Sequence, residues 1–222
     1  MISVIVPIKD EPVGVVHRFA RFARSPEECE LVVVDGGDDE RTRAAFREAG
    51  ARVLTLPGTR GLRLARASAS ARGDVLFFLH ADSRPPHDAL ALITRSLAQG
   101  ADAGAFSLAY EDSSRRMRWI AWWANRRSRL GLPFGDQGIF CRRSTYERVG
   151  GFRDMPICDD LDLVRRLRKS GAFVVRPEKT VTSPRRYRDV GALRQVLRTW
   201  RVLAGYYAGV PPETLTRWYE GR

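Results

Sequence analysis

Short β-branched runs alternate with stretches of helical spacing over the first hundred residues. Ser3-Val4-Ile5-Val6-Pro7 is too short for a helix and reads as a buried strand. Residues 13–24 place Val16, Phe19, Ala20 and Ala23 on one helical face. Glu30 to Asp35 is a second buried strand, closed by a Gly36-Gly37-Asp38-Asp39 turn whose last residue can cap a helix running to about Gly50. A strand over 51–56, a helix over 61–71, a strand over 74–79 and a helix over 88–99 continue the alternation. The second half is less regular. It predicts a strand over 104–110, a helix over 114–130, a turn and strand over 135–141 and a short helix over 144–149. Then come a helix over 159–170, two short strands at 173–177 and 180–182, a helix over 190–208 and a closing segment at 212–219.

Strands alternating with helices imply an α/β fold, a mostly parallel sheet with helices on both faces. Neither an internal repeat nor a linker interrupts it, so one domain over 1–222 is expected. Ligands of such sheets bind beyond the carboxyl ends of the strands. Three polar clusters fall there: Lys9-Asp10-Glu11, Asp35, and His80-Ala81-Asp82.

Composition narrows the classes. Apolar residues make up 44% of the 222, enough for a core. A net charge of +12 favours anionic partners, and nearly all of the 38 basic residues are arginine. No apolar run reaches the roughly 18 residues of a membrane span, and no signal peptide is read. Cys29, Cys141 and Cys158 are scattered and odd in number, which fits free thiols in a cytoplasmic protein. There is no Walker A loop, no GxGxxG after the first strand, no GxSxG elbow and no His/Cys zinc spacing.

Several acids and bases are candidates for chemistry. Asp82 could hold a hard divalent ion with substrate phosphates, with His80 two residues earlier on the same side. Asp35 could accept hydrogen bonds from a base or ribose. Asp159 and Asp160 open a helix, and a pocket acid there can serve as general base. Arg60, Arg63 and the Arg185-Arg186 pair could steady a diphosphate. Each also has a plainer reading: a turn-forming Asp, a helix cap, or a solvated arginine. The 114–130 segment carries Trp119, Trp122 and Trp123 among arginines. It is either a core-facing aromatic stripe with a basic outer face or an interfacial helix on an anionic bilayer.

Five segments together resemble family 2 glycosyltransferases of GT-A fold. They are SVIVPIKDE, LVVVDGGDDERT, ARGDVLFFLHADSRPP, GDQGIFCRRSTYERVGGF and ICDDLDLVRRLRKSG. LHAD, GDQ, TSPRRY and the ending GVPPETLTRWY are closest to a subgroup of small bacterial enzymes, the rSAM/selenodomain-associated transferase 2 type.

The resemblance implies a metal-dependent, inverting transferase that passes a sugar from a UDP- or GDP-sugar to an acceptor. Residues 1–100 would form the nucleotide-binding half, 101–190 the acceptor and catalytic half, and 191–222 a C-terminal helical segment. Pro7, Ile8, Lys9, Asp10, Glu11, Asp35, Arg60, Arg63 and Ala81 would hold the nucleotide. Asp82, with His80, would hold Mn²⁺ or Mg²⁺. Asp160, paired with Asp159, would carry catalysis, and Asp136, Gln137, Arg185 and Arg186 would serve the acceptor or diphosphate. His80 and Asp159 depart from the family's usual Asp and Glu. Two alternatives stay open: a non-catalytic nucleotide-sugar binder, and a polyprenyl-phosphate glycosyltransferase at the inner membrane face. Peripheral membrane contact and a homodimer are further expectations; a nucleic-acid partner is not expected.

Overall fold

The computed structural model describes residues 1–24, 27–129 and 133–221. The first half runs β1 (Ile2–Ile8), α1 (Val16–Ala23), β2 (Cys29–Asp35), α2 (Glu40–Glu48), β3 (Arg52–Thr55), α3 (Arg60–Ser70), β4 (Val75–Phe78), β5 (Ser83–Arg84) and α4 (Ala89–Ala98). The second half runs β6 (Ala103–Tyr110), α5 (Arg115–Arg129), β7 (Ile139–Arg142), α6 (Arg143–Arg148), α7 (Asp159–Ser170), β8 (Phe173–Thr182), α8 (Arg185–Val190), α9 (Ala192–Tyr207) and α10 (Pro212–Glu220). Leu130, the expected end of the helix now labelled α5, lies outside the described residues.

All strands join one sheet in the order β3-β2-β1-β4-β7-β6-β8-β5. It is parallel from β3 to β4 and again between β6 and β8. Strand β7 runs antiparallel to β4 and β6, and β5 antiparallel to β8. The period of two in the apolar runs sorts side chains to opposite faces. Val4, Val6, Leu31, Val33 and Phe77 pack with Phe19 and Phe46 of α1 and α2 on one face. Ile5, Val32, Val34, Leu76 and Phe78 pack with Leu64, Tyr146 and Leu163 of α3, α6 and α7 on the other.

Register then sets the site. Ile8 pairs with Asp35, and Asp35 with Thr55, so the carboxyl ends of β1, β2 and β3 are level. Asp39 caps α2 as expected, accepting from the Arg41 N–H at 3.0 Å. A third cluster joins Cys158 and Leu161 to Val202 and Leu203 of α9 and Leu215 of α10. The C-terminal helices thus pack behind the start of α7, where Asp159 and Asp160 sit.

Three expectations shift. The two strands predicted at 173–177 and 180–182 are one strand, β8. Its register jumps from Phe106↔Arg176 to Ser107↔Lys179, which leaves Pro177 and Glu178 in a bulge. A proline without an N–H is tolerated there, and its sequence signal is a false break. The helix expected over 190–208 is divided at Gly191 (φ 86°), and α8 precedes it. The tryptophans of α5 do not face the core: Met117, Ile120 and Ala121 do, while Trp119 is 59% exposed.

Candidate active site

At the end of β2 the Asp35 carboxylate is buried and held from two sides. Its Oδ1 accepts from the Gly37 N–H at 2.8 Å, and its Oδ2 meets the Arg43 Nη1 at 3.1 Å. Arg63, also buried, reaches from α3 to donate to the Ile8 carbonyl at 3.1 Å. Its guanidinium lies where a side chain on Gly36 would be, and Asp10 Oδ1 is 2.6 Å from where a Cβ on Gly37 would stand. The two glycines therefore let the turn after β2 close against Asp10 and Arg63. Asp10 itself sits at φ 54°, which turns the chain sharply out of β1. Burial lowers the Arg63 pKa, and its Nε has no hydrogen-bond partner among the described residues.

A second cluster forms where α3, β4 and α7 converge. Arg60, first residue of α3, grips Asp159 with both arms of its guanidinium: Nε to Oδ2 at 3.0 Å and Nη2 to Oδ1. Its Nη1 stands 3.3 Å from His80 Nε2, and its Nη2 lies 3.8 Å from Asp160 Oδ2. Burial works against the charge on Arg60, but Asp159 and Asp160 outweigh it and hold its pKa above the ordinary value. His80 goes the other way: burial, reinforced by Arg60, pushes it down to about 4. The imidazole is therefore neutral at physiological pH.

Asp160 accepts from the Gly135 N–H at 2.7 Å and from its neighbour Leu161 at 2.8 Å. Burial alone would raise its pKa; Arg60, His80 and these two N–H groups more than offset that, and the carboxyl lies below its ordinary 3.8. The chain enters α7 through Cys158 in the left-handed region at φ 62°. Successive helical positions then diverge, Asp159 into Arg60 and Asp160 toward Gly135.

Beside this cluster is a cavity of about 160 Å³, lined by Glu11, Pro12, Gly14, Val15, Arg18, Ala81, Asp82, Ser183 and Arg185. Arg18 anchors the loop by donating to the Asp82 carbonyl at 2.8 Å. The Asp82 carboxylate has no side-chain partner among the described residues, in contrast to Asp35, Asp159 and Asp160. No group of three or more His, Cys, Asp or Glu is arranged to hold a metal among those residues. The free Asp82 carboxylate, in a cavity it shares with Glu11, Arg18 and Arg185, fits an ion that takes its other ligands from substrate phosphates.

Residues 3–149 match the family model described as glycosyl transferase family 2. The chain belongs to that family. No curated protein matches it in sequence. Among solved structures, a mannosyltransferase from Pyrobaculum calidifontis in complex with GDP-Man and Mn²⁺ is similar at TM-score 0.62 and 20% identity. That match covers 90% of this chain and 59% of the mannosyltransferase. Glucosyl-3-phosphoglycerate synthase from Mycobacterium tuberculosis, in complex with Mn²⁺ and UDP-glucose, is similar at TM-score 0.65 and 19% identity, covering 95% and 80% of the two chains. The S. aureus TarS 1–349 structure is similar at 0.63 and 14%, over 89% and 64%. The sheet and its flanking helices are a GT-A fold.

The other residues singled out in the sequence lie around these two clusters. Pro7 lines the pocket with Arg60, His80, Gly135, Asp159 and Asp160. Ile8 contributes its carbonyl to Arg63. Lys9 is exposed after β1, Glu11 and Ala81 line the larger cavity, and Arg185 faces it from the start of α8. Gln137 is buried and engaged within the fold: it accepts from Ser128 at 2.7 Å and donates to the Phe106 carbonyl at 2.8 Å. It holds the turn that presents Asp136 instead of facing the cleft itself. Arg186 bonds the Tyr219 hydroxyl at 2.6 Å.

Asp136 has its Oδ1 buried without a partner among the described residues. Burial, with Asp160 and Asp82 close by, raises its pKa to about 6 despite the opposing charges of Arg127 and Arg186. Three neighbours of Asp136 carry no mark in the sequence. Arg127 of α5 lies 3.3 Å over the Phe134 ring, and the Tyr110 and Tyr187 hydroxyls are 3.2 Å apart. Burial raises Tyr110 far above its ordinary value, and the tyrosines and Arg127 share the field of Asp136. Arg127 stood in the sequence as one of six arginines on a helix, with nothing to mark it as the one that turns inward.

Proposed function

We propose that this family 2 transferase moves a sugar from a nucleoside-diphosphate sugar to an acceptor hydroxyl, with inversion, assisted by a divalent ion. The observation that carries this reading is the division of labour among four acids at one sheet edge. Asp35 is locked to backbone and Arg43, Asp159 is locked to Arg60, Asp160 is aimed by two N–H groups, and Asp82 is left free. The solved relatives with GDP-Man or UDP-glucose and Mn²⁺ support the donor class and the ion.

Asp35 and Arg63, with the backbone from Pro7 to Glu11, bind the nucleoside, and Ala81 packs beside it. Asp82 would hold the ion, which would supply positive charge to the diphosphate. Arg18 and Arg185 add fixed cations where negative charge develops on the leaving group, the larger share of catalysis in such reactions. Asp160 takes the acceptor's proton as its oxygen bonds the anomeric carbon and the bond to the diphosphate breaks. A pKa below 3.8 keeps Asp160 ionised throughout the neutral range. His80, neutral and turned to Arg60, positions that guanidinium.

The test is thermal stabilisation by UDP- and GDP-sugars with and without Mn²⁺, on wild type, Asp82→Ala and Asp160→Asn, followed by turnover. A metal-dependent shift lost in Asp82→Ala, with Asp160→Asn binding the donor but turning over at least about 10²-fold more slowly, is expected. A shift in wild type with no sugar transfer or donor hydrolysis would replace this reading with a non-catalytic binder.

A further inference from the structure

We propose that α5 and α9 together form a docking surface for an anionic phospholipid bilayer. The two helices meet at a small buried cluster of Met117, Ile120 and Ala192, with Val196 packed against it. Away from that seam each presents large apolar side chains to solvent. On α5 these are Trp119, Trp122 and Trp123, all about half exposed. On α9 they are Leu193 (71% exposed), Leu197 (61%) and Trp200 (54%), at the i, i+4, i+7 spacing of one helical stripe. The α5 rings pack on one another: Trp119–Trp123 centroids are 5.9 Å apart and Trp122–Trp123 4.9 Å. Arg126 lies over Trp122 at 5.4 Å. This is an exposed aromatic cluster with arginine at its edge, and among the described residues its rings stack only on one another and on Arg126.

Charge selects the occupant. Six arginines lie in α5, five of them exposed and Arg127 turned inward, and three in α9, with no Asp or Glu in either helix, against a net charge of +12 for the whole chain. A second copy placed face to face would bring these charges together, so self-association is opposed. Nucleic acid would match the charge and could stack on tryptophan, but it offers nothing for Leu193 and Leu197. An anionic bilayer answers both features: headgroups for the arginines, and the headgroup–acyl boundary for tryptophan and leucine. The same α5 carries Arg127 inward to the Asp136 turn, so the docked face adjoins the acceptor side of the cleft.

The experiment reads binding alone and needs no turnover, so its outcome is independent of the transferase reading. Full-length protein is sedimented with phosphatidylcholine vesicles containing about 30% phosphatidylglycerol, and with pure phosphatidylcholine vesicles. Two variants are compared, Trp119→Ser/Trp122→Ser/Trp123→Ser and Leu193→Gln/Leu197→Gln. All five positions are exposed, and an unchanged melting temperature establishes that each variant folds. The expected result is binding to anionic vesicles only, a blue shift of tryptophan emission, and at least about tenfold weaker binding in both variants. Absence of binding at low salt, or binding equal in wild type and variants, overturns the proposal. So does an oligonucleotide that displaces the protein from vesicles by occupying the same tryptophans, or a dimer that both variants abolish.

Discussion

Asp136→Asn should make the protein more stable at neutral pH, and the gain should vanish in acid. In the folded protein burial holds this carboxyl at about 6, against 3.8 for the free group. Because the folded pKa is the higher one, the folded state binds more protons than the unfolded chain between those values. The stability this group contributes is full below about pH 4 and is lost as pH rises through 6. A shift of about two units corresponds to about 3 kcal/mol at most, since one unit is about 1.4 kcal/mol. The cleft admits some solvent, so about 1–3 kcal/mol is expected at pH 8, or roughly 3–10 °C for a chain of this length. Asparagine keeps an acceptor in place of the unpartnered Oδ1 and carries no charge. Urea unfolding of both proteins from pH 4 to pH 8 at constant salt measures the difference. Curves that coincide near pH 4 and diverge through pH 6 support the reasoning. A variant no more stable at pH 8, or a difference independent of pH, refutes it.

Two further outcomes follow from the geometry. A Cβ added at Gly135 would overlap His80 Nε2 and stand 2.9 Å from Asp160 Oδ2. Gly135→Ala should therefore displace the carboxylate, cut turnover at least about tenfold and cost about 1–3 kcal/mol in urea unfolding; unchanged turnover would contradict the placement of Asp160. Arg60→Met strands Asp159, which is 1% exposed, and should cost about 1–3 kcal/mol, less than a fully buried pair because Arg60 is partly solvated. Adding Asp159→Asn should recover much of that loss, and a double-mutant cycle with simply additive effects would show that the two do not act as a pair.

The parallel half was legible because its signal is local. Runs such as Val4-Ile5-Val6 and Leu31-Val32-Val33-Val34 are buried on both faces, and nothing else accounts for them. Asp35 could be placed at the end of β2 and Asp82 in the turn beyond β4 from the same pattern. What the sequence hid depends on distant contacts. The two-residue β5 exists only because β8 offers it a partner, and the continuity of β8 through Pro177 depends on a bulge against β6. The outward turn of Trp119, Trp122 and Trp123 is set by Met117 and Ile120 competing for the same helix and winning the seam with α9. Among the basic residues, the sequence offered Arg60 as a ligand for phosphate, whereas the structure commits both its arms to Asp159.

That ion pair joins residues 99 positions apart, and the Thr59–Asp154 hydrogen bond beside it closes a separation of 95. Loop closure over such distances precedes any stabilisation it brings. While the chain emerges during synthesis, the strands and helices of the first hundred residues can pair among themselves, but Arg60 has no acid to hold until α7 arrives. The corner that holds Asp159 and Asp160 therefore cannot close until both halves of the chain are present. The first half alone would lack Asp159 and Asp160, so the chemistry proposed for them requires the two halves to be closed on each other.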